Sequence, residues 1–191
     1  LPNILIGSQY WMDKNLDVTT YRNGDPIPQV TNNVTWANLR TGAWCYYNND
    51  PANGAIYGKL YNWYAVNDQR GLAPQGWHVP SDAEWFTLGT YLGGDSFAGG
   101  KMKTTGTTRW TYPNTNASNE SGFTGLPGGY RVGGLGTSGA FESLGNGITL
   151  WSATESNTTS SFYRYIDYNS GILGRWELNK AFGFSVRLIK D

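Results

Sequence analysis

One histidine and one cysteine, His78 and Cys45, stand in a chain of 191 residues, so any chemistry that needs either is confined to two positions. His78 lies between Trp77 and Val79, just before Ser81. A general base needs an orienting partner, and the sequence dedicates none to it, with Asp82 and Glu84 merely nearby. A packed or backbone-bonded histidine is the expectation. Cys45 has no neighbouring His or basic residue to stabilise a thiolate, which points to a buried small hydrophobe. Being alone, it also excludes an intramolecular disulfide. Zinc would require two further ligands. Calcium could draw oxygens from Asn48, Asn49 and Asp50, or from Asn116, Asn119 and Glu120, but no stretch carries the spaced carboxylates of a calcium loop. Turn hydrogen bonding is the simpler use of those asparagines. No cofactor is expected, and calcium is without support. The Gly-Gly pairs fall in loops, away from any strand-to-helix junction that would cradle a phosphate.

Binding chemistry is better represented. In YRYID, strand alternation puts Tyr163, Tyr165 and Asp167 on one face; in LGRWE, Leu173, Arg175 and Glu177 share a face and Trp176 points the opposite way. Rings beside charges can stack on a sugar or grip a protein side chain. The candidate ligand-binding residues are Asn157, Tyr163, Tyr165, Arg175, Trp176 and Glu177. Each ring is equally at home as an ordinary strand residue facing the core. Arg164 and Arg187, flanked by hydrophobic residues, are expected to pair with acids or carbonyls within the scaffold.

These positions must be held by one domain, 1–191, because no polar or Pro/Ser-rich stretch divides the chain. Aromatic residues make up 15% of it and glycines number 26, a composition of large rings and special-dihedral loops. Fourteen basic residues balance fourteen acidic ones, which leaves no electrostatic footprint for nucleic acid. No 18-residue apolar run occurs, so direct membrane insertion is not expected. The chain opens on Leu1 rather than Met, as a processed or trimmed chain would, and export stays open.

ILIGSQYWM reads as two short strands around Gly7-Ser8, and residues 19–33 as loop. VTWANLR offers one or two helical turns, and CYYNND a short aromatic strand. Tyr57, Leu60, Tyr61 and Tyr64 recur at helical spacing and predict a helix over 57–68. Ser81 and Glu84 have capping-box spacing, followed by Trp85, Leu88 and Leu92 on one face, with Gly93-Gly94 as the stop. From Gly99 to Gly147, long ordered loops and very short strands are expected, pinned by Trp110, Tyr112, Phe123, Tyr130 and Phe141. The C-terminal third predicts three consecutive antiparallel strands, 162–168, 172–178 and 182–188.

Seven segments in order, WMDKNL, YGKLYNWYAV, PQGWHVPSDAEW, GGKMK, NESGFTGLPGGYR, LWSATE and GFSVRLIKD, cover nearly the whole chain. Together they resemble the bacterial major paralogous domain first catalogued in Fibrobacter and abundant in Bacteroidetes surface proteins. The resemblance implies an α+β, C-type-lectin-like fold with two short helices, small antiparallel sheets and long ordered loops, related to formylglycine-generating enzymes but without their reactive-cysteine arrangement. It implies display outside the cell, on lipoproteins or adhesin-like proteins. Members commonly carry Cys where this chain has Ala73 and Leu188; if those positions pair, an apolar contact stands here in place of a covalent one. Some such domains are diversified by retroelements in their C-terminal stretch, here the region from Trp151 to Asp191.

The resulting expectation is a noncatalytic extracellular or cell-surface module that binds an extracellular protein or a glycan through its C-terminal hairpin. A structural or assembly domain of a surface protein is the alternative.

Overall fold

A computed structural model describes all 191 residues. The opening segment forms the expected hairpin, β1 (Asn3–Ile6) and β2 (Gln9–Met12), with Ile6 opposite Gln9. Gly7 takes φ +63° in the two-residue turn, a conformation that costs glycine little. Helix α1 (Asn33–Ala37) begins where the Asn32 side chain accepts the Thr35 N–H.

The helix predicted over 57–68 does not form as one element. Instead β3 (Trp44–Cys45) is followed by a 3-10 turn at Tyr47–Asn49, α2 (Pro51–Tyr57), β4 (Leu60–Tyr61) and α3 (Trp63–Val66). Gly58, at φ 76° and ψ −156°, stops α2, and β4 then pairs with β3. Buried Asn62 holds the junction: its oxygen accepts the N–H groups of Ala43 and Ala65 at 3.0 and 3.1 Å, and its amide donates to Thr41 at 2.8 Å. The helical spacing of the rings is therefore a coincidence of two short helices and a strand. Likewise CYYNND is strand only at Cys45, since Asn48 turns the chain at φ 53°.

Strand β5 (Trp77–His78) leads to α4 (Asp82–Tyr91), whose reciprocal Ser81–Glu84 capping box is present, and whose Trp85 and Leu88 are buried as their spacing predicts. The glycine-rich segment that follows is more regular than expected. Helix α5 (Asp95–Met102) runs through Gly99-Gly100, where a Cβ on Gly99 would sit 2.3 Å from the Ile172 carbonyl oxygen. Close packing against residues 171–172 overrides the poor helix propensity of glycine there. Trp110 and Phe123 are buried as expected, while Tyr112 is exposed.

Strands β6 (Gly128–Arg131), β7 (Phe141–Leu144), β8 (Gly147–Glu155), β9 (Ser160–Asp167) and β10 (Gly174–Asn179) build a sheet of order β10-β9-β8-β6-β7. Segment 182–188 does not form the third strand of a C-terminal meander. It crosses between sheets through single bridges at Gly183, Phe184 and Ser185, and β11 (Ile189–Lys190) then inserts between β2 and β5. Its alternation of Phe182, Phe184, Val186 and Leu188 reflects its place in the core rather than a strand partner.

The fold is α+β, with five α-helices of four to ten residues rather than two, and with a largest sheet that is mixed because β6 and β8 run parallel. Trp11, Trp77, Trp85 and Trp151 are all in the core. Arg187, buried, donates to the Met12 and Phe123 carbonyls and the Asn15 oxygen; burial pushes its guanidinium down to about 9. Arg164 reaches Asp82 at 3.0 Å and Asp95 at 3.5 Å. Both serve the scaffold, as expected. Ala73 and Leu188 lie in one buried cluster.

Candidate ligand-binding surface

The register of β8, β9 and β10 decides which candidate residues stand together. Tyr163 pairs with Trp151 on one side and Trp176 on the other, and Tyr165 pairs with Thr149 and Gly174. Directly paired residues share a face, so Tyr163, Tyr165, Asp167 and Trp176 lie on one side of the sheet. Ile148, Leu150, Arg164 and Ile166 lie on the other, against the core that includes Trp85 and Leu88 of α4.

On the first side the rings form a continuous cluster. Phe184 packs 4.3 Å from Trp151 and 4.8 Å from Tyr163, while Tyr130 stands 6.0 Å from Phe184 at 89°. Tyr163 is 6.4 Å from Tyr165, whose ring lies over Gly174, so close that a Cβ there would be 1.9 Å from its Cε1. Gly174 thus lets the ring lie down across the neighbouring strand. Between these rings runs a groove of about 210 Å³, lined by Tyr130, Ser143, Thr149, Tyr163, Tyr165, Asp167, Leu178 and Phe184 among others. Trp176, paired with Tyr163 on the same face, does not line the groove and is 61% exposed. Burial pushes the Tyr163 phenol up and, together with the Glu142 carboxylate that accepts its hydroxyl at 2.6 Å, pushes Tyr130 up to about 12.

The six candidates do not make one surface. Arg175 pairs with Arg164 across the strands and so occupies the opposite face, where both Oδ atoms of Asp82 accept its Nε–H at 3.0 and 2.9 Å. Its guanidinium also stacks 3.9 Å over Phe162. Glu177 shares that face and is bonded to Ser156. Asn157 belongs to the β8–β9 turn, where its oxygen accepts the N–H groups of Thr159 and Ser160, each at 2.9 Å. Tyr130, Ser143, Thr149 and Phe184 come to the groove from outside the hairpin. Alternation in 182–188 marked Phe184 without placing it here, and the parallel β6–β8 contact that brings Tyr130 and Ser143 alongside Thr149 leaves no local pattern in the sequence.

The residues of reactive type sit elsewhere. His78, expected to lack a dedicated partner, has two: Nδ1 meets Asp191 at 2.6 Å and Nε2 meets Glu84 at 2.8 Å. Partial burial opposes its protonation, but hydrogen bonds and charges from both carboxylates outweigh that and raise its pKa. Cys45 is fully buried, which pushes its thiol up to about 12. Asn48, Asn49, Asn116 and Asn119 all take positive φ as turn residues. No group of three or more His, Cys, Asp and Glu side chains is placed to hold a metal. The larger cleft, about 530 Å³ beside Trp63 and Tyr64, is polar, and its Arg70 and Lys180 are already paired with Asp68 and Glu155.

The sequence model of the Fibrobacter succinogenes major domain matches residues 4–190. The chain belongs to that family. Comparisons with curated proteins and with solved structures find no match. In this family member the seven landmark segments supply mainly the scaffold: Trp11, Leu16, Trp63, Trp77, Trp85, Met102, Phe123, Arg131, Trp151 and Val186 from them are all buried. Tyr130 and Phe184 are the rings they lend to the groove. Tyr163, Tyr165 and Trp176 lie outside them. No helix is long and apolar enough to cross a membrane.

Proposed function

We propose that this domain is a noncatalytic binding module of the bacterial cell surface, and that its ligand, an extracellular protein or a glycan, is taken by the aromatic groove face of the five-stranded sheet. The observation that carries this reading is the collection of Tyr130, Tyr163 and Tyr165 around one groove, with Trp176 beside Tyr163 on the same face of the sheet. Evenly packed scaffold aromatics would be covered, as Trp151 is, whereas Trp176 is open to solvent. Rigid rings provide contact area at low entropy cost. The C-type-lectin-like reading of the fold, and diversification of the stretch from Trp151 to Asp191, rest on the family resemblance. They agree with a recognition surface carried by β9 and β10.

A structural or assembly role has one observation in its favour. Phe86 and Tyr91 on α4 and Phe97 on α5 expose their rings away from the groove. The two readings separate in a binding screen of the folded domain against glycans and surface-protein extracts, with calcium or chelator present. A saturable ligand lost in a Trp176→Ala, Tyr165→Ala variant that still melts cooperatively is the expected result. Wild-type binding by that variant would remove the groove from the interface.

A further inference from the structure

The two outer strands of the sheet β10-β9-β8-β6-β7 are unalike. Strand β7 is bent at Ser143, which takes φ 64°, and an irregular edge resists further pairing. Strand β10 carries no such device between Arg175 and Glu177: the three residues include neither Gly nor Pro, and all are exposed.

The phase of the backbone fixes what that edge offers. In an antiparallel pair, opposed residues alternate between those that exchange hydrogen bonds and those whose N–H and C=O turn away. The Lys180 N–H donates to the Thr159 carbonyl at 3.0 Å, one step past the Asn179–Ser160 pair. Leu178, Trp176 and Gly174 therefore bond to β9, while Arg175 and Glu177 direct their N–H and C=O out of the sheet. Leu173 keeps the same phase, since its N–H also points outward and is taken by the Asp95 carbonyl of α5 at 2.8 Å. No further strand takes the outward groups of Arg175 and Glu177.

Side chains add a second constraint. Arg175 gives only its Nε–H to Asp82, which leaves its terminal nitrogens free. Glu177 accepts a hydrogen bond from Ser156 but stands beside no cation. Between them Trp176 projects from the opposite face.

We propose that β10 pairs antiparallel with β10 of a second copy of this domain, about a two-fold axis through Trp176. In that register Arg175 lies opposite Glu177 of the second copy and exchanges both backbone hydrogen bonds with it, and Glu177 does the same with that copy's Arg175. Each of these is also an opposite-charge pair, while the two Trp176 side chains meet as a non-hydrogen-bonded pair, the kind in which side chains approach most closely. The order Arg-Trp-Glu is thus self-complementary, as a two-fold contact requires. Any extended strand would satisfy the backbone, but this charge order selects a second copy. Because paired residues share a face, the dimer sets both aromatic grooves on one side of a continuous sheet, where a ligand with repeated units would be held at two points. The proposal stands on the edge of β10 and does not depend on what the groove binds.

The test begins with sedimentation velocity of the folded domain from about 1 µM to about 1 mM, which should show a reversible monomer–dimer equilibrium. Glu177→Lys sets like charges opposite one another in both symmetry-related pairs and should weaken the dimer about tenfold or more. Glu177→Pro removes an outward N–H and no bond to β9, and should abolish the dimer while the domain still melts cooperatively. Cysteine trapping reads the register, with Cys45 buried and out of reach. Trp176→Cys should form an intermolecular disulfide on mild oxidation, because non-hydrogen-bonded partners bring Cα atoms to about 4.5 Å. Glu177→Cys should stay reduced, since its symmetry mate is displaced by two residues, about 7 Å along the strands as well as one strand spacing across. A monomer at every concentration, or a dimer that Glu177→Lys leaves unchanged, overturns the proposal. Failure of Trp176→Cys to cross-link, or equal cross-linking by both cysteine variants, overturns the register and the charge pairing with it.

Discussion

Replacing Gly174 by Ala tests the arrangement on which the groove depends. The added Cβ would stand 1.9 Å from Cε1 of Tyr165 and 2.5 Å from Cδ1 and Cζ, so the ring must leave its place across β10. Gly174 has no left-handed φ, so alanine introduces no backbone strain to confuse the result. Overpacking of this kind costs about 1–3 kcal/mol. A domain of this size loses about 2–4 °C of melting temperature per kcal/mol, so Gly174→Ala should melt ~2–12 °C lower. The decisive arm is the double variant. With Tyr165→Ala already in place nothing clashes, and Gly174→Ala should then be neutral or stabilising by about 0.4–1 kcal/mol, because alanine restricts the unfolded chain. Thermal or urea denaturation of the four proteins, followed by circular dichroism, completes the cycle. Equal losses in both backgrounds, or none in the wild type, would refute the ring-on-glycine packing and with it the position of Tyr165 in the groove.

Two further outcomes follow from the structure. His78 has a raised folded pKa, so its contribution to stability is complete below its unfolded value of about 6.5 and disappears as pH rises through the folded value. Glu84 has a lowered one, so its share is present above its unfolded value and is lost as pH falls through the folded value. The linkage is therefore strongest in mildly acid solution. His78→Gln should cost about 0.5–1 kcal/mol at pH 5.5 after solvent screening of a side chain this exposed, and less at pH 9, in matched melting curves; a pH-independent difference would exclude the linkage. Ala73→Cys with Leu188→Cys places two thiols inside one buried cluster and should oxidise to a disulfide that adds about 2–4 kcal/mol. Thiol titration and melting under oxidising and reducing conditions check this, and free thiols in a folded oxidised sample would place the two residues apart.

Legibility followed the range of the interactions. The β1–β2 hairpin, the Ser81–Glu84 capping box and the buried face of α4 were readable because their causes lie within a few residues. The helix expected over 57–68 was not, since Gly58 stops α2, β4 is taken by β3, and Asn62 is held by Thr41 and Ala43, partners outside the segment. Segment 182–188 carries strand alternation, yet what it meets are Tyr61, Arg131 and Leu150, from three separate elements. Helix α5 was not legible because Gly99 answers to residues 171 and 172 and Gly100 to Asn116.

The candidate site divided in the same way. Alternation alone placed Tyr163 with Tyr165 and separated Arg175 from Trp176, because side-chain direction in a strand has period two. By itself the sequence determined the family, the α+β class, a tryptophan-rich interior and the faces of β9 and β10. Only tertiary structure decided that Tyr130 and Phe184 join those rings and that Arg175 is held by Asp82. Those outcomes turn on β6 lying parallel to β8 and on α4 covering the opposite face. Such pairings are set by the packing of the whole chain, and no local pattern of residues encodes them.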